Sequence, residues 1–166
     1  MITIISGSNR KGSNSQKTAN AYLQNLTAKN IPAQLLSLED HEVFTRNEKF
    51  TEMETAFLLN ADKFIFVIPE YNGSYPGIIK LMIDNSDVGK CWANKKALIT
   101  GVSSGRAGNL RGMEHFTGSL MHLKMHVHPN RLPISAVHTL LNEDNEIIDA
   151  ATLKLIDTQI DEFLQA

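Results

Sequence analysis

Residues 2–15 decide the fold, and they read Ile-Thr-Ile-Ile-Ser-Gly-Ser-Asn-Arg-Lys-Gly-Ser-Asn-Ser. The apolar run at residues 2–6 predicts a buried strand, and the small polar residues after it end that strand. An amphipathic helix follows from about Ser15 to Lys29. Its apolar residues recur at helical spacing, at Ala19, Tyr22, Leu23 and Leu26. A strand, a polar loop and a helix in this order begin an α/β fold.

The loop between this strand and this helix has the composition of a phosphate site. A helix N-terminus leaves backbone N–H groups unpaired and carries partial positive charge, which favours an anion. Glycines allow the backbone to approach that anion, hydroxyls donate to it, and the Arg10 guanidinium can bind two of its oxygens. Because Arg10 stands in this loop, after the first strand of an α/β pattern, the sequence favours phosphate binding over a plain turn.

Strands and helices alternate along the rest of the chain. Strands are predicted at 33–38, 64–68, 97–102 and from about 125; helices are predicted at 52–61, 77–85, 109–123 and at the C-terminus. A polar loop is expected before the second helix, to about Phe50. No repeat, low-complexity tract or linker divides the chain, so residues 1–166 are expected to form one domain. Five strands with intervening helices predict a doubly wound parallel sheet with helices on both faces.

Composition narrows the class of protein. With 166 residues, 42% hydrophobic and 20% charged, the chain has the size and composition of one packed domain. Its formal net charge of −2 gives no general attraction to nucleic acid or to an anionic membrane. No apolar run approaches the ~20 residues of a bilayer span, and no apolar leader precedes the first strand. A cytoplasmic protein without membrane insertion is therefore expected.

Two further loops are expected beside the first, because ligands of doubly wound sheets bind beyond the carboxyl ends of the strands. After the third strand comes Pro69-Glu70-Tyr71-Asn72-Gly73-Ser74-Tyr75-Pro76-Gly77, whose tyrosines and asparagine suit a planar heterocycle with hydrogen-bonding edges. After the fourth comes Ser103-Ser104-Gly105-Arg106-Ala107-Gly108-Asn109, with an N-cap expected at Asn109. Each loop alone is compatible with an ordinary turn, but three such loops at one sheet end favour a ligand.

These three loops resemble those of the NADPH-dependent FMN reductase family, a flavodoxin-like group that includes quinone, azo-dye and chromate reductases. The matching elements are Gly7-Ser8-x-Arg10-x-x-Ser13, Pro69–Ser74 followed by Pro76-Gly77, and Ser-Ser-Gly-Arg-x-Gly at 103–108. The resemblance extends from Met1 to about Leu123. It implies a three-layer flavodoxin-like sandwich with strand order 2-1-3-4-5, FMN as cofactor and NAD(P)H as co-substrate.

The resemblance also implies roles for individual residues. The FMN phosphate would be held by Ser8, Arg10, Ser13, Asn14, Ser15 and Gln16. The isoalloxazine ring would lie along Pro69, Glu70, Tyr71, Asn72, Gly73 and Ser74. Its pyrimidine side would contact Ser103, Ser104, Gly105, Arg106 and Gly108. A backbone N–H at 72–74 would face flavin N5, and Arg106 would stabilise negative charge at N1–C2=O. No protein nucleophile is expected, because the cofactor carries the hydride chemistry.

The activity implied is transfer of hydride from NAD(P)H to FMN, and then of electrons to a quinone-like small molecule, by ping-pong kinetics. An FMN-binding electron carrier that does not oxidise nicotinamide is the alternative, although such carriers are often strongly acidic and this chain is not. A nucleotide-binding regulator without a redox cofactor is a third reading. The acceptor and the choice between NADPH and NADH stay open.

An oligomer is also implied, because members of this family are commonly homodimers or homotetramers built from dimers. One short helix is not expected to bury all of its apolar and aromatic neighbourhood within a single subunit, and this set comprises Tyr75, Ile78, Ile79 and Met82. Two departures from the family pattern are visible. Asp84-Asn85-Ser86-Asp87 replaces an Asp-Trp pair, and Ser15 stands in place of an asparagine, where it is expected to cap the helix.

Histidine and cysteine offer weaker candidates. His122, His126 and His128 could suggest a metal site, with His126 and His128 on one strand face, but no carboxylate or thiolate lies close in sequence. A metal is therefore not expected. Cys91 has only Lys90 as a nearby basic residue, which favours an ordinary thiol over a nucleophile.

Overall fold

A parallel sheet forms the middle layer of the computed structural model, which describes residues 1–166. Its strands are β1 Ile2–Ser6, β2 Ala33–Ser37, β3 Lys63–Pro69, β4 Lys96–Val102, β5 His126–Val127 and β6 Leu132–Ile134. They are ordered β2-β1-β3-β4-β5, and β6 also pairs with β4. The predicted order 2-1-3-4-5 is thus confirmed. It places β1 and β3, whose loops carry two of the three motifs, side by side.

Helices cover both faces of this sheet, as a flavodoxin-like fold requires. Helices α1 Asn14–Ala28 and α6 Ala150–Gln165 pack on one face, over Ile4, Ile65 and Leu98. The other face, with Ile5, Phe66 and Ile99, is covered by α2 Glu48–Met53, α3 Gly77–Asn85, α4 Val88–Cys91 and α5 Leu110–His122. Neighbouring strand residues point to opposite faces, so a strand that is apolar throughout supplies both cores.

The second helix begins earlier than its predicted start, and half of it is not α-helical. Asn47 accepts a hydrogen bond from the Phe50 N–H and caps α2, so the predicted loop to Phe50 is too long. From Glu54 to Leu59 the chain forms a π-helix. Side chains from the sheet and its edges bond the carbonyl oxygens there: Thr3 to Phe57, Gln34 to Ala56, and Lys95 to Leu58. These distant partners stabilise a form that local sequence does not signal.

The fifth strand is divided into two short segments rather than continuous. Lys96 and Ala97 of β4 pair with β5, and residues 100–102 pair with β6. Between these segments lies Pro129, which has no N–H to donate to a sheet ladder. His128 lies beyond β5 and is buried against Phe163, whereas His126 is exposed, so the two do not share a strand face.

Candidate flavin site

The loops after β1, β3 and β4 meet at one end of the sheet and enclose a cavity of about 310 Å³. This is the juxtaposition that the sequence predicts for a doubly wound sheet. The cavity is lined by Ser8, Arg10, Lys11, Gly12, Ser13, Asn14, Ser15, Pro69, Glu70, Tyr71, Val102, Ser103, Ser104 and Val137. Its volume is near the lower end of the range of small-molecule sites.

The first loop presents unpaired donors at the start of α1. The hydroxyl of Ser13 accepts a hydrogen bond from the Gln16 N–H at 3.2 Å, so Ser13, not Ser15, is the N-cap. The Ser15 hydroxyl instead lies 3.0 Å from that of Ser13. The backbone N–H groups of Asn14 and Ser15 donate to no acceptor within the protein. Free N–H groups and adjacent hydroxyls at a helix N-terminus form an anion site.

Arg10 contributes positive charge to this cavity, and the ring of Tyr71 orders it. The guanidinium carbon of Arg10 lies 4.4 Å from the centre of the Tyr71 ring. Buried Ser8 joins both residues, because its hydroxyl bonds the Tyr71 hydroxyl at 2.8 Å and accepts from the Arg10 N–H at 3.1 Å. Arg46 and Arg131 form ion pairs with carboxylates, whereas Arg10 has none. Its charge is therefore available to a ligand.

The β3 loop contains a tight reversal at its predicted ring-binding residues. Tyr71 and Ser74 exchange backbone hydrogen bonds of 2.9 and 3.1 Å across Asn72 and Gly73. Both central residues have positive φ, 52° and 77°, which is the pattern of an Asn-Gly type I′ turn. The Ser74 N–H is consumed by this turn, whereas the N–H groups of Asn72 and Gly73 donate to no protein acceptor.

Helix α5 braces this loop from behind through residues that sequence reasoning missed. Ser74 Oγ lies 2.9 Å from Nδ1 of His115, and the Tyr75 hydroxyl lies 3.1 Å from that of Ser119. Arg111 of the same helix reaches Gly73. These partners lie about forty residues along the chain, so no local pattern in the sequence could identify them.

The β4 loop is held by its own hydrogen bonds and by close packing. The Ser103 hydroxyl donates to Gly105 O at 2.9 Å and accepts from the Gly108 N–H at 3.0 Å. A Cβ at Gly101 would lie 2.2 Å from the Gly108 carbonyl oxygen, so only glycine fits there. Asn109 is the N-cap of α5, as predicted, but its side chain bonds no backbone N–H of that helix. Its φ is 63°, and its side-chain amide donates instead to Ile68 O at the end of β3.

Several predicted site residues do not border this cavity: Gln16, Asn72, Gly73, Ser74, Gly105, Arg106 and Gly108. The side chain of Gln16 lies on a different cavity of about 440 Å³, beside Asn20 and the turn at 144–147. Four residues border the cavity between the three loops without having been predicted as site residues: Lys11, Gly12, Val102 and Val137. Lys11 and Gly12 fall inside the quoted loop, whereas Val137 comes from a 3₁₀ helix with no motif.

The donor set fits a phosphate attached to a planar ring. Free N–H groups, serine hydroxyls and Arg10 suit a dianion, and the neighbouring turn offers backbone donors to a ring edge.

Cys91 is unsuited to act as a redox group or as a nucleophile. It is fully buried beside the Glu54 carboxylate, and burial is the main cause that raises its thiol pKa to about 12. No group of three or more histidine, cysteine or acidic side chains is arranged to hold a metal ion.

A parallel sheet in this order with an anion site at the β1 loop defines the flavodoxin-like class of proteins. Within that class the chain belongs to the NADPH-dependent FMN reductase family, whose model matches residues 1–139. The chain is thus an oxidoreductase by family, and membership assigns it FMN as cofactor and NAD(P)H as co-substrate.

Individual relatives agree with this family. The chain is 32% identical over 118 residues to an NAD(P)H-dependent FMN reductase of Pseudomonas aeruginosa, an alignment covering 68% of this chain and 60% of that one. It is 26% identical over 172 residues to a 2-hydroxy-1,4-benzoquinone reductase of a Burkholderia species, covering 98% and 93%. The structure superposes on a Paracoccus denitrificans NAD(P)H:(acceptor) oxidoreductase with a TM-score of 0.83 at 23% identity, covering 99% and 94%.

None of the helices combines the length and the apolar character that crossing a bilayer requires.

Proposed function

We propose that residues 1–166 form a single FMN-binding domain that oxidises NAD(P)H and reduces a quinone-like small molecule. The observation that carries this proposal is the cavity where three loops meet, with Arg10 and free amides beside the turn of the β3 loop. Relatives named as FMN and quinone reductases support the choice of substrates. Bound FMN supplies hydride acceptance at N5 and electron donation to the second substrate.

The chain's own residues bind the cofactor and orient its ring. Arg10, Ser13 and Ser15, with the N–H groups at the start of α1, hold the phosphate. The N–H groups of Asn72 and Gly73 are free, so they are the donors available to the N5 edge; Ser74 is excluded because its N–H is used in the turn. The β4 loop borders the pyrimidine side. Arg106 lies outside the cavity but in the same loop, and its guanidinium forms no ion pair that would neutralise it.

The test is NADPH consumption by the FMN-loaded chain with 1,4-benzoquinone as acceptor. The proposal expects oxidation of NADPH that depends on both FMN and quinone. An FMN-loaded chain that keeps the spectrum of oxidised flavin on addition of NADPH or NADH would instead support the electron-carrier alternative. A chain that binds no flavin would overturn the proposal and favour a regulator. Parallel assays with NADH decide the preferred nicotinamide.

A further inference from the structure

We propose that the side chain of Tyr71, although it belongs to the β3 loop, acts as a positioning residue for the phosphate site. Its ring fixes Arg10 and its hydroxyl fixes Ser8, so that the two loops bind FMN as one coupled unit. This inference rests on the proposed function. It reassigns Tyr71, which the family resemblance places along the isoalloxazine ring.

Three contacts support this role. The Arg10 guanidinium lies over the Tyr71 ring at 4.4 Å, within the range of a cation–π interaction. The Tyr71 hydroxyl and the Ser8 hydroxyl are 2.8 Å apart, across a separation of 63 residues. The Ser8 hydroxyl also accepts a hydrogen bond from the backbone N–H of Arg10, so each of the three residues contacts the other two. All three line the same cavity.

The contact with Tyr71 leaves the donors of Arg10 free to bind phosphate. The guanidinium carbon lies over the Tyr71 ring, and this cation–π contact uses no hydrogen bond, whereas a phosphate is bound by the N–H donors of the guanidinium. The guanidinium donates to no acceptor in the protein and forms no ion pair, although Arg46 and Arg131 do. The contact with the ring therefore restricts the side chain of Arg10 without using its N–H donors, which lowers the entropy lost when phosphate binds.

A double-mutant cycle measures this coupling by fluorescence titration of FMN and of riboflavin, which lacks the phosphate. Tyr71→Leu removes the ring and is expected to weaken FMN binding about tenfold while leaving riboflavin binding within about twofold. In an Arg10→Ala background the same substitution is expected to weaken FMN binding less than about twofold. Tyr71→Phe keeps the ring, so it should retain FMN affinity within about threefold.

Matched variants separate this role from a general effect on the loop. Tyr75→Phe removes a hydroxyl hydrogen bond from the same loop, but that bond points to Ser119 on α5, so FMN affinity should not change. The far-ultraviolet circular dichroism spectrum and the urea midpoint report whether Tyr71→Leu is folded, and Tyr71→Gln is a second variant without the ring. One folded variant without the ring is sufficient to measure the coupling with Arg10.

Three results would overturn the inference. FMN and riboflavin affinity could fall equally, which would make Tyr71 a contact of the isoalloxazine ring alone. The effect of Tyr71→Leu could persist undiminished in the Arg10→Ala background, which would show that the residues act independently. FMN affinity could instead rise, because the stack competes with phosphate. A parent chain that binds no FMN would overturn the proposed function itself, and is thereby distinguished from these cases.

Discussion

Arg10 and Lys11 are the two cations that border the predicted phosphate cavity, and they differ in what they offer an anion. The guanidinium of Arg10 is planar, has five donors and is held over Tyr71. A lysine ammonium is a flexible point charge that is strongly hydrated. At the scale of single residues, the specificity for phosphate is therefore expected to depend on Arg10.

Arg10→Ala is expected to weaken FMN binding about ten- to a hundredfold, because hydrogen bonds to charged groups contribute about 1.5–3 kcal/mol each. Riboflavin affinity should hardly change, since riboflavin has no phosphate. Calorimetric or fluorescence titration with both flavins measures the difference. Lys17→Ala is the matched control, because Lys17 carries the same charge on α1 but borders the other cavity. Equal affinity of parent and Arg10→Ala for FMN would place the phosphate elsewhere.

At the scale of elements, the site depends on how tightly the β4 strand packs under its own loop. A Cβ at Gly101 would lie 2.2 Å from Gly108 O and about 3 Å from the Met113 side chain. Gly108 in turn faces Pro133 and Ile134 of β6. The Gly108 carbonyl cannot move aside without displacing the whole β4 loop. A larger residue at Gly101 is therefore expected to shift the part of this loop that borders the predicted flavin site.

Gly101→Ala is therefore expected to destabilise the fold by about 1–3 kcal/mol, as overpacked core substitutions do, and to weaken riboflavin and FMN binding alike. Urea denaturation gives the stability, and flavin titration gives the affinity. Gly118→Ala on α5 is the control, because nothing lies within 4 Å of its Cβ position and alanine favours a helix. Unchanged stability in Gly101→Ala would show that the loop yields easily.

Glu54 ties together the elements on the other side of the sheet. Its buried carboxylate accepts hydrogen bonds of 2.9 and 2.7 Å from Arg46 and one of 2.6 Å from the Asp87 N–H at the start of α4. Arg46 also donates to Asn85 O at the end of α3. The hydrogen bond from Arg46 is the main cause that lowers the pKa of Glu54. A lowered pKa in the folded state means that ionised Glu54 stabilises the fold.

Glu54→Gln is expected to lower the free energy of unfolding by about 2 kcal/mol at neutral pH, because charge-assisted hydrogen bonds are lost. The contribution is present above the unfolded pKa, about 4.3, and disappears as the pH falls through the lowered folded pKa. The difference between parent and variant should therefore shrink in urea titrations below about pH 4. Glu52→Gln, on the exposed side of α2, should show no such dependence. A difference independent of pH would contradict the ionic role.

At the scale of the whole molecule, the sequence could predict what depends on local pattern and on the topology of α/β sheets. The apolar strands and the first helix, predicted from about Ser15 and observed from Asn14, follow from such patterns, and the meeting of three loops follows from topology. The π-helix and the Arg10–Tyr71 stack depend on partners far along the chain. The split of the fifth strand has a visible cause in Pro129, but its register with β4 comes from tertiary packing.

Assembly is the part of the prediction for which the single chain gives mixed support. The sequence predicts that one subunit cannot bury all of four apolar residues: Tyr75, Ile78, Ile79 and Met82. That prediction is wrong for Ile79 and Met82, because both are fully buried within one subunit. Of the four residues, only Tyr75 and Ile78 remain partly exposed. Two further apolar residues are exposed on the surface of α4 and α5: Val88 is 42% exposed and Met121 is 64% exposed. A homodimer or homotetramer through this surface stays a prediction.

Sedimentation at micromolar concentration tests that prediction, with at least twice the 18.5 kDa monomer mass expected. Met121→Lys should shift the mass toward the monomer, because it places a charge on the exposed apolar surface. Leu155→Lys is a matched control, since Leu155 is 53% exposed on α6, at the opposite face of the sheet. A parent that sediments as a monomer would rule out the oligomer under these conditions.

The number of substrate sites is also a property of the whole molecule. The loops after β1, β3 and β4 enclose a single cavity, so one exposed flavin face would have to serve the nicotinamide and the acceptor in turn. We therefore expect ping-pong kinetics, with parallel double-reciprocal plots when NADPH is varied at several fixed concentrations of 1,4-benzoquinone. Excess quinone should inhibit competitively with NADPH, because both stack on the same ring. A redox-inactive analogue of NADPH provides the control, since it binds the oxidised enzyme and should compete with NADPH in either scheme. Intersecting plots would show that both substrates bind together, and the second would then need a site outside this cavity.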